Sequence, residues 1–167
     1  VLGITACTHG NEPSGLAVFD YLLNDIHIEK ELICGTLYLV VNNIQAVERF
    51  FSAKNEEEIR KSRYCDVNMN RLPKNTLELV DDSRYEVRRA QELYPIWNRF
   101  THGLDIHSTL DPSDPMIISK GGEFHPELVR GFPIKNLISN IDKIQVGIPA
   151  LAFYGGLDSE AKAFAIE

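Results

Sequence analysis

An almost unbroken apolar run, Val1 to Cys7, passes straight into the turn Thr8-His9-Gly10-Asn11-Glu12-Pro13, and this junction constrains the fold more than any other stretch. A short run of that kind, closed by a glycine turn, suits a strand buried on both faces, the setting of a parallel sheet covered by helices. His9 then stands where the strand gives out. Pro13 disfavours helical geometry for the residue before it and is tolerated in the first helical position, so Glu12 should be extended and a helix should open at Pro13. The turn thus offers an imidazole and a carboxylate, three residues apart, from one rigid corner.

The rest of the chain reads as alternating helices and strands. Leu16, Phe19, Leu22, Leu23 and Ile26 recur at helical spacing and predict a helix over 13–24. Gly35 to Val41 reads as a second strand closed by Asn42-Asn43, and a short helix is expected over 44–50. The charge run 55–61 suits a solvated helix or loop, and 62–73 follows neither periodicity and is dense in polar groups, the mark of an irregular loop with a task. Val87, Ala90, Leu93, Tyr94 and Trp97 predict a helix over 83–100, opened by a Ser83/Glu86 capping box and kinked or split at Pro95. Strands are expected at 103–109, 116–119, 150–154 and 163–167, with helices at 126–130 and 134–141. This is an α/β pattern: a single domain with a mixed, mostly parallel central sheet flanked by helices, where ligands gather at the carboxyl ends of strands.

At 167 residues, 44% of them hydrophobic, the chain suffices for one domain over 1–167. It starts at Val1-Leu2-Gly3 and stops at Ala165-Ile166-Glu167, inside expected core strands, which predicts a fragment of something longer. No apolar run reaches the roughly 18 residues of a membrane span. Cys7, Cys34 and Cys65 are odd in number and outside any C-x-x-C spacing, which favours reduced packing thiols in a cytoplasmic protein. A formal net charge of -7 weighs against nucleic-acid or anionic-membrane partners, and nothing in the sequence fixes the oligomeric state.

An H-x-x-E pair alone has a bland explanation, a turn histidine and a carboxylate favoured by a helix N-terminus. A third candidate ligand changes the balance. His107 also lies where a strand gives out, and one imidazole-carboxylate pair with one distant imidazole is the His₂Glu set of a catalytic zinc site that keeps a position open. Asp105 is suited either to accept a ligand histidine's N–H or to sit as an ordinary strand acid.

Three stretches, Thr8 to Gly15, Arg63 to Arg71 and Asp105 to Thr109, in this order and spacing, resemble the succinylglutamate desuccinylase and aspartoacylase family of zinc-dependent amidohydrolases, a family similar in fold to zinc carboxypeptidases. The resemblance implies one zinc per chain held by His9, Glu12 and His107. It also implies that Arg63 polarises the scissile amide carbonyl and that Asn70 and Arg71 hold a substrate carboxylate. Glu167 would end the last strand as the base that deprotonates the attacking water. The implied activity is hydrolysis of the amide bond of a small anionic N-acyl amino acid. Arginine's planar fork suits the carboxylate role where lysine would not, and zinc with two arginines and two glutamates leaves a net positive site in an acidic protein.

The sequence departs from the family in two respects. The position of a second arginine is occupied by Leu157, with Lys162 the nearest cation, which argues against N-acetylaspartate, and the family's carboxy-terminal domain is not part of this sequence. Two other readings use the same residues: a carboxypeptidase acting on short peptides, and a non-catalytic zinc-binding module of the same fold. His27, His102 and His125 are not expected to be ligands.

Overall fold

Apolar β-rich runs do become strands, and their register explains why the first is apolar on both faces. The computed structural model describes residues 1–109, 111–119, 126–143, 145–156 and 161–167. Its strands are β1 (Leu2–Ala6), β2 (Leu37–Val41), β3 (His102–Ile106), β4 (Met116–Ser119), β5 (Asn136–Ile138) and β6 (Lys162–Ile166), and its sheet runs β2-β1-β3-β6-β4-β5. β1 lies between β2 and β3, parallel to both, with Ala6 opposite Val41 and Ile106. β6 continues the parallel register beside β3, and β4 returns antiparallel to β6. The carboxyl ends of β1, β3 and β6 therefore fall side by side.

Helices cover both faces. On one, α1 (Ser14–Asp20) and α3 (Ile44–Ser52) bring Phe19 and Val47 against Ala6 and Cys7. On the other, α5 (Tyr85–Trp97) packs Val87, Ala90, Leu93 and Trp97 with Phe153 and Tyr154. Each such aromatic buries roughly 150–250 Å², worth several kcal/mol at about 25 cal/mol per Å², so this face carries most of the core. The fit is close: a Cβ on Gly3 would run into the Phe100 ring. Short helices α2 (Ile28–Glu31), α4 (Glu56–Lys61) and α6 (Pro126–Val129) complete the described α-helices, α4 being solvated as its charge run implies. No helix among the described residues is long and apolar enough to cross a membrane.

Several local expectations are corrected. Pro13 caps α1 from outside, so the helix opens one residue later, and it continues over Tyr21–Asp25 as a wider π turn. The Ser83/Glu86 capping box does not form; α5 opens at Tyr85 and Glu86 turns into the interior, where it is fully buried. Pro95 does not split α5, because it falls in the last turn, two residues before the helix ends. The expected strand at 150–154 is a 3-10 turn, Ala150–Phe153, whose Ala150, Leu151 and Phe153 are all buried; a short apolar run does not reveal which backbone buries it. The expected helix at 134–141 contains strand β5 instead, paired with β4 and followed by Asn140 at φ 58°. Cys34 is exposed, so it is not a core packing residue. His125 and Leu157 lie outside the described residues.

Candidate metal centre and pocket

Just past β1 the chain leaves the sheet through Cys7, whose φ of 54° is a left-handed conformation seldom taken by a residue with a side chain. That bend, with the Cys7 Sγ–H donating to the Glu12 carbonyl at 3.6 Å, brings Glu12 back beneath His9. Two residues beyond Asp105, His107 reaches the same point from β3, its backbone N–H held by the Ile166 carbonyl at 2.8 Å. His9, Glu12 and His107 are all buried, and each offers a ligand atom within 4.8 Å of the others.

The hydrogen-bond pattern tests whether a cation belongs there. His107 Nε2 lies 2.8 Å from Asp105 Oδ2, and its Nδ1 lies 2.7 Å from Glu12 Oε2. A neutral imidazole has one N–H, so a ring between two carboxylates must be doubly protonated unless a cation takes the place of one proton. Burial opposes that charge, yet Asp105 and Glu12 raise the His107 pKa well above its ordinary 6.5. His9 leads to the same conclusion. Asn68 Oδ1 accepts the Asn70 N–H at 2.8 Å, so it is an oxygen that faces His9 Nε2 at 3.0 Å, and this contact, shorter than the 3.3 Å to Arg63 Nη2, makes Nε2 the donor. The lone pair on Nδ1 is then left 2.9 Å from Glu12 Oε1. Two imidazole Nδ1 atoms converging on one carboxylate fit a divalent zinc ion, with the far nitrogen of each ring fixed by an acceptor.

Asp105 is itself wired. Thr5 Oγ1 donates to its Oδ1 at 2.7 Å, Thr8 Oγ1 lies within 3.1 Å of both oxygens, and the Tyr154 hydroxyl stands 2.6 Å from Thr5 Oγ1. Burial works to raise the Asp105 pKa, but His107 and the two threonines more than offset it and hold the carboxyl below its usual value. Sequence reasoning left Thr5, Thr8 and Tyr154 without a role; the one available signal was polar threonines inside and just after an apolar strand.

The pocket opens beside this corner. His9, Arg63, Asn70, Arg71, His107 and Glu167 all face it. Arg63 Nη1 donates to Glu12 Oε1 at 2.6 Å. Partial burial and the nearby Arg63 guanidinium both pull the Arg71 pKa down, so two cations share the cavity. Glu167 comes from the end of β6 on the same face as Ala165, and burial pushes its pKa up, partly opposed by His107. The lining also includes the aliphatic side chains of Ile118, Ile141, Leu151 and Ala152. Six of the seven residues singled out from sequence thus face this pocket, and Glu12 lies directly behind it. His27 and His102 stand apart from it, and burial pushes the Cys7 and Cys65 thiols up to about 12 and about 11, which disfavours the thiolates a metal needs.

A mostly parallel sheet with a His-Glu-His corner at its carboxyl edge defines the zinc carboxypeptidase-like class of α/β folds. Murine aminoacylase 3 is similar at 22% identity, with a TM-score of 0.65 over 99% of this chain and 54% of that one. Succinylglutamate desuccinylase from Chromobacterium violaceum gives 21% identity and a TM-score of 0.70 over 99% of this chain and 51% of its own. Carboxypeptidase A from Helicoverpa armigera gives 13% and 0.55 over 98% and 51%. The chain therefore spans about half the length of these structures. No curated protein sequence matches it significantly. Residues 1–125 match the succinylglutamate desuccinylase/aspartoacylase catalytic domain model, and the chain belongs to that family.

Proposed function

We propose that residues 1–167 form one catalytic domain that hydrolyses the amide bond of an N-acyl amino acid with a single zinc ion held by His9, Glu12 and His107. The observation that carries this reading is the pair of imidazole Nδ1 atoms facing the two oxygens of Glu12 at 2.9 and 2.7 Å, each ring fixed from behind by Asn68 or Asp105. When bound, zinc supplies a Lewis acid and lowers the pKa of a water from 15.7 to about 7. Glu167 takes the proton of the attacking water and returns it to the leaving amine, a task its raised pKa favours. Arg63 donates to the oxygen that gains charge; a preorganised donor of this kind contributes about 3–4 kcal/mol. Asn70 and Arg71 hold the substrate carboxylate, and the aliphatic side chains of Ile118, Ile141 and Leu151 receive an apolar part of the substrate. Three free thiols agree with a reducing, cytoplasmic setting.

The test is a panel of N-acyl amino acids and short peptides, each with zinc-loaded and metal-stripped protein. Zinc-dependent release of free amine from the acyl amino acids, with peptides at least about tenfold slower, is the expected result. Faster cleavage of peptides would favour a carboxypeptidase, and activity on neither would favour a non-catalytic module.

A further inference from the structure

We propose that Glu86 on α5 and Asp66 in the 63–71 segment form a reciprocal clamp that holds this segment in its carboxylate-binding shape, which makes Glu86 a positioning residue for substrate although it lies outside the pocket. The proposal rests on the reading of Asn70 and Arg71 as the carboxylate anchor. Glu86 is fully buried and accepts four hydrogen bonds. Its Oε1 takes the Cys65 N–H at 2.5 Å and Asn43 Nδ2 at 3.0 Å, and its Oε2 takes the Asp66 and Val67 N–H groups at 3.0 Å each. Three consecutive amides thus wrap one carboxylate. In return Asp66 Oδ2 accepts the N–H of Tyr85, the first residue of α5, at 2.7 Å. Helix and loop cap each other.

The clamp is keyed to the metal corner and to the pocket alike. Asn43, which donates to Glu86, caps α3 through its Oδ1 and binds the Cys7 carbonyl through its backbone N–H at 3.0 Å. One residue beyond the clamped amides, Asn68 receives His9 Nε2 and caps the turn Met69–Arg71. Asn70 Oδ1 then accepts the Ala150 N–H at 3.2 Å, and Arg71 Nη1 folds onto the Asn70 carbonyl at 2.6 Å. Arg63 precedes the clamped amides by two residues. The segment that carries Arg63, Asn70 and Arg71 is an irregular loop with one short 3-10 turn, so its shape depends on where 65–67 are pinned.

The pin must be a carboxylate. Each Glu86 oxygen faces two donors, so a glutamine side chain, in either orientation, turns its NH₂ against two N–H groups and leaves them unpaired. An exposed helix-cap glutamate would tolerate that exchange; this one does not.

The experiment compares wild type with Glu86→Gln by hydrogen exchange, zinc content, calorimetric affinity for N-acetyl-L-leucine, and steady-state kinetics. The expected result is faster exchange of the Cys65, Asp66 and Val67 amides with β1 and β3 amides unchanged. Zinc content should stay the same, affinity should weaken by about tenfold or more, and KM should rise with kcat altered far less. A variant that merely loses stability would lower kcat and speed exchange throughout instead. If Glu86→Gln does not fold, Asp66→Ala, a surface change that removes the return bond to Tyr85, should show the same split between loop and strands. Unchanged exchange over 63–71 overturns the clamp, and so does faster exchange there with unchanged affinity. Wild type that binds no N-acyl amino acid overturns the carboxylate reading of the pocket instead, and the exchange comparison still decides the clamp.

Discussion

The pocket has two halves built in different ways. His9, Glu12 and His107 stand just past the ends of two adjacent parallel strands, so sheet hydrogen bonds set their spacing before any side chain acts. Arg63, Asn70 and Arg71 hang on an irregular segment whose firmest anchor, Glu86, lies outside the pocket on helix α5, about twenty residues further along the chain. A half fixed by strands should fail all at once when a ligand is lost. A half fixed by a loop should fail by degrees, in substrate affinity, with the metal left in place.

The largest effect expected short of losing the metal comes from Glu167, which belongs to the strand-built half. Glu167→Gln, in a chain continued past residue 167 so that a terminal carboxylate does not substitute, should keep zinc and lower turnover by about 10² to 10⁴. Near-normal turnover would leave the site without an evident base. Next is Asp105→Asn, which leaves an acceptor for His107 but removes the charge; zinc affinity measured by chelator competition should fall by about 10-fold to 100-fold. Unchanged affinity would reduce the Thr5, Thr8 and Tyr154 wiring to packing.

In the loop-built half, Arg71→Lys keeps the charge and loses the planar fork, at a cost of about 1.5 kcal/mol or roughly tenfold, expected in KM. An unchanged kcat/KM for anionic acyl amino acids would remove Arg71 from the carboxylate role.

The smallest effect is on stability with pH, and it separates metal-free from loaded protein. In the metal-free chain burial pulls the His107 pKa down, but Asp105 and Glu12 raise it well above 6.5. That ring adds stability fully present below about 6.5 and lost as pH climbs through the raised value. Burial pushes the Asp105 and Glu12 carboxyls up, yet their partners hold both below 3.8 and 4.5, so they add stability present above those values and lost as pH falls. The Tm of the metal-free chain should therefore decline from pH 6 to pH 9, and zinc, by replacing an Nδ1 proton, should flatten the profile. Parallel Tm curves for the two forms would contradict the assignment of that proton.

The same division governs what could be read from sequence. Apolar strands followed by polar turns revealed β1 and β3 and the histidines at their ends, because strand, turn and candidate ligand are close in sequence there, whereas Glu167 at the end of β6 came only from the family resemblance. The Ser83/Glu86 spacing suggested a local cap, but Glu86 is used by amides about twenty residues earlier, and no local rule encodes a partner at that distance. Likewise Ala150–Phe153 read as a strand because burial alone does not distinguish a 3-10 turn from an extended run. Tyr154 could not be linked to Thr5, across most of the chain, without the fold that joins them.

Whether His9, Glu12 and His107 together hold a metal is decided by the zinc content of His107→Ala after dialysis against a mild chelator. One zinc per chain in wild type and none in the variant is the predicted result. Zinc retained near one per chain in His107→Ala would contradict it.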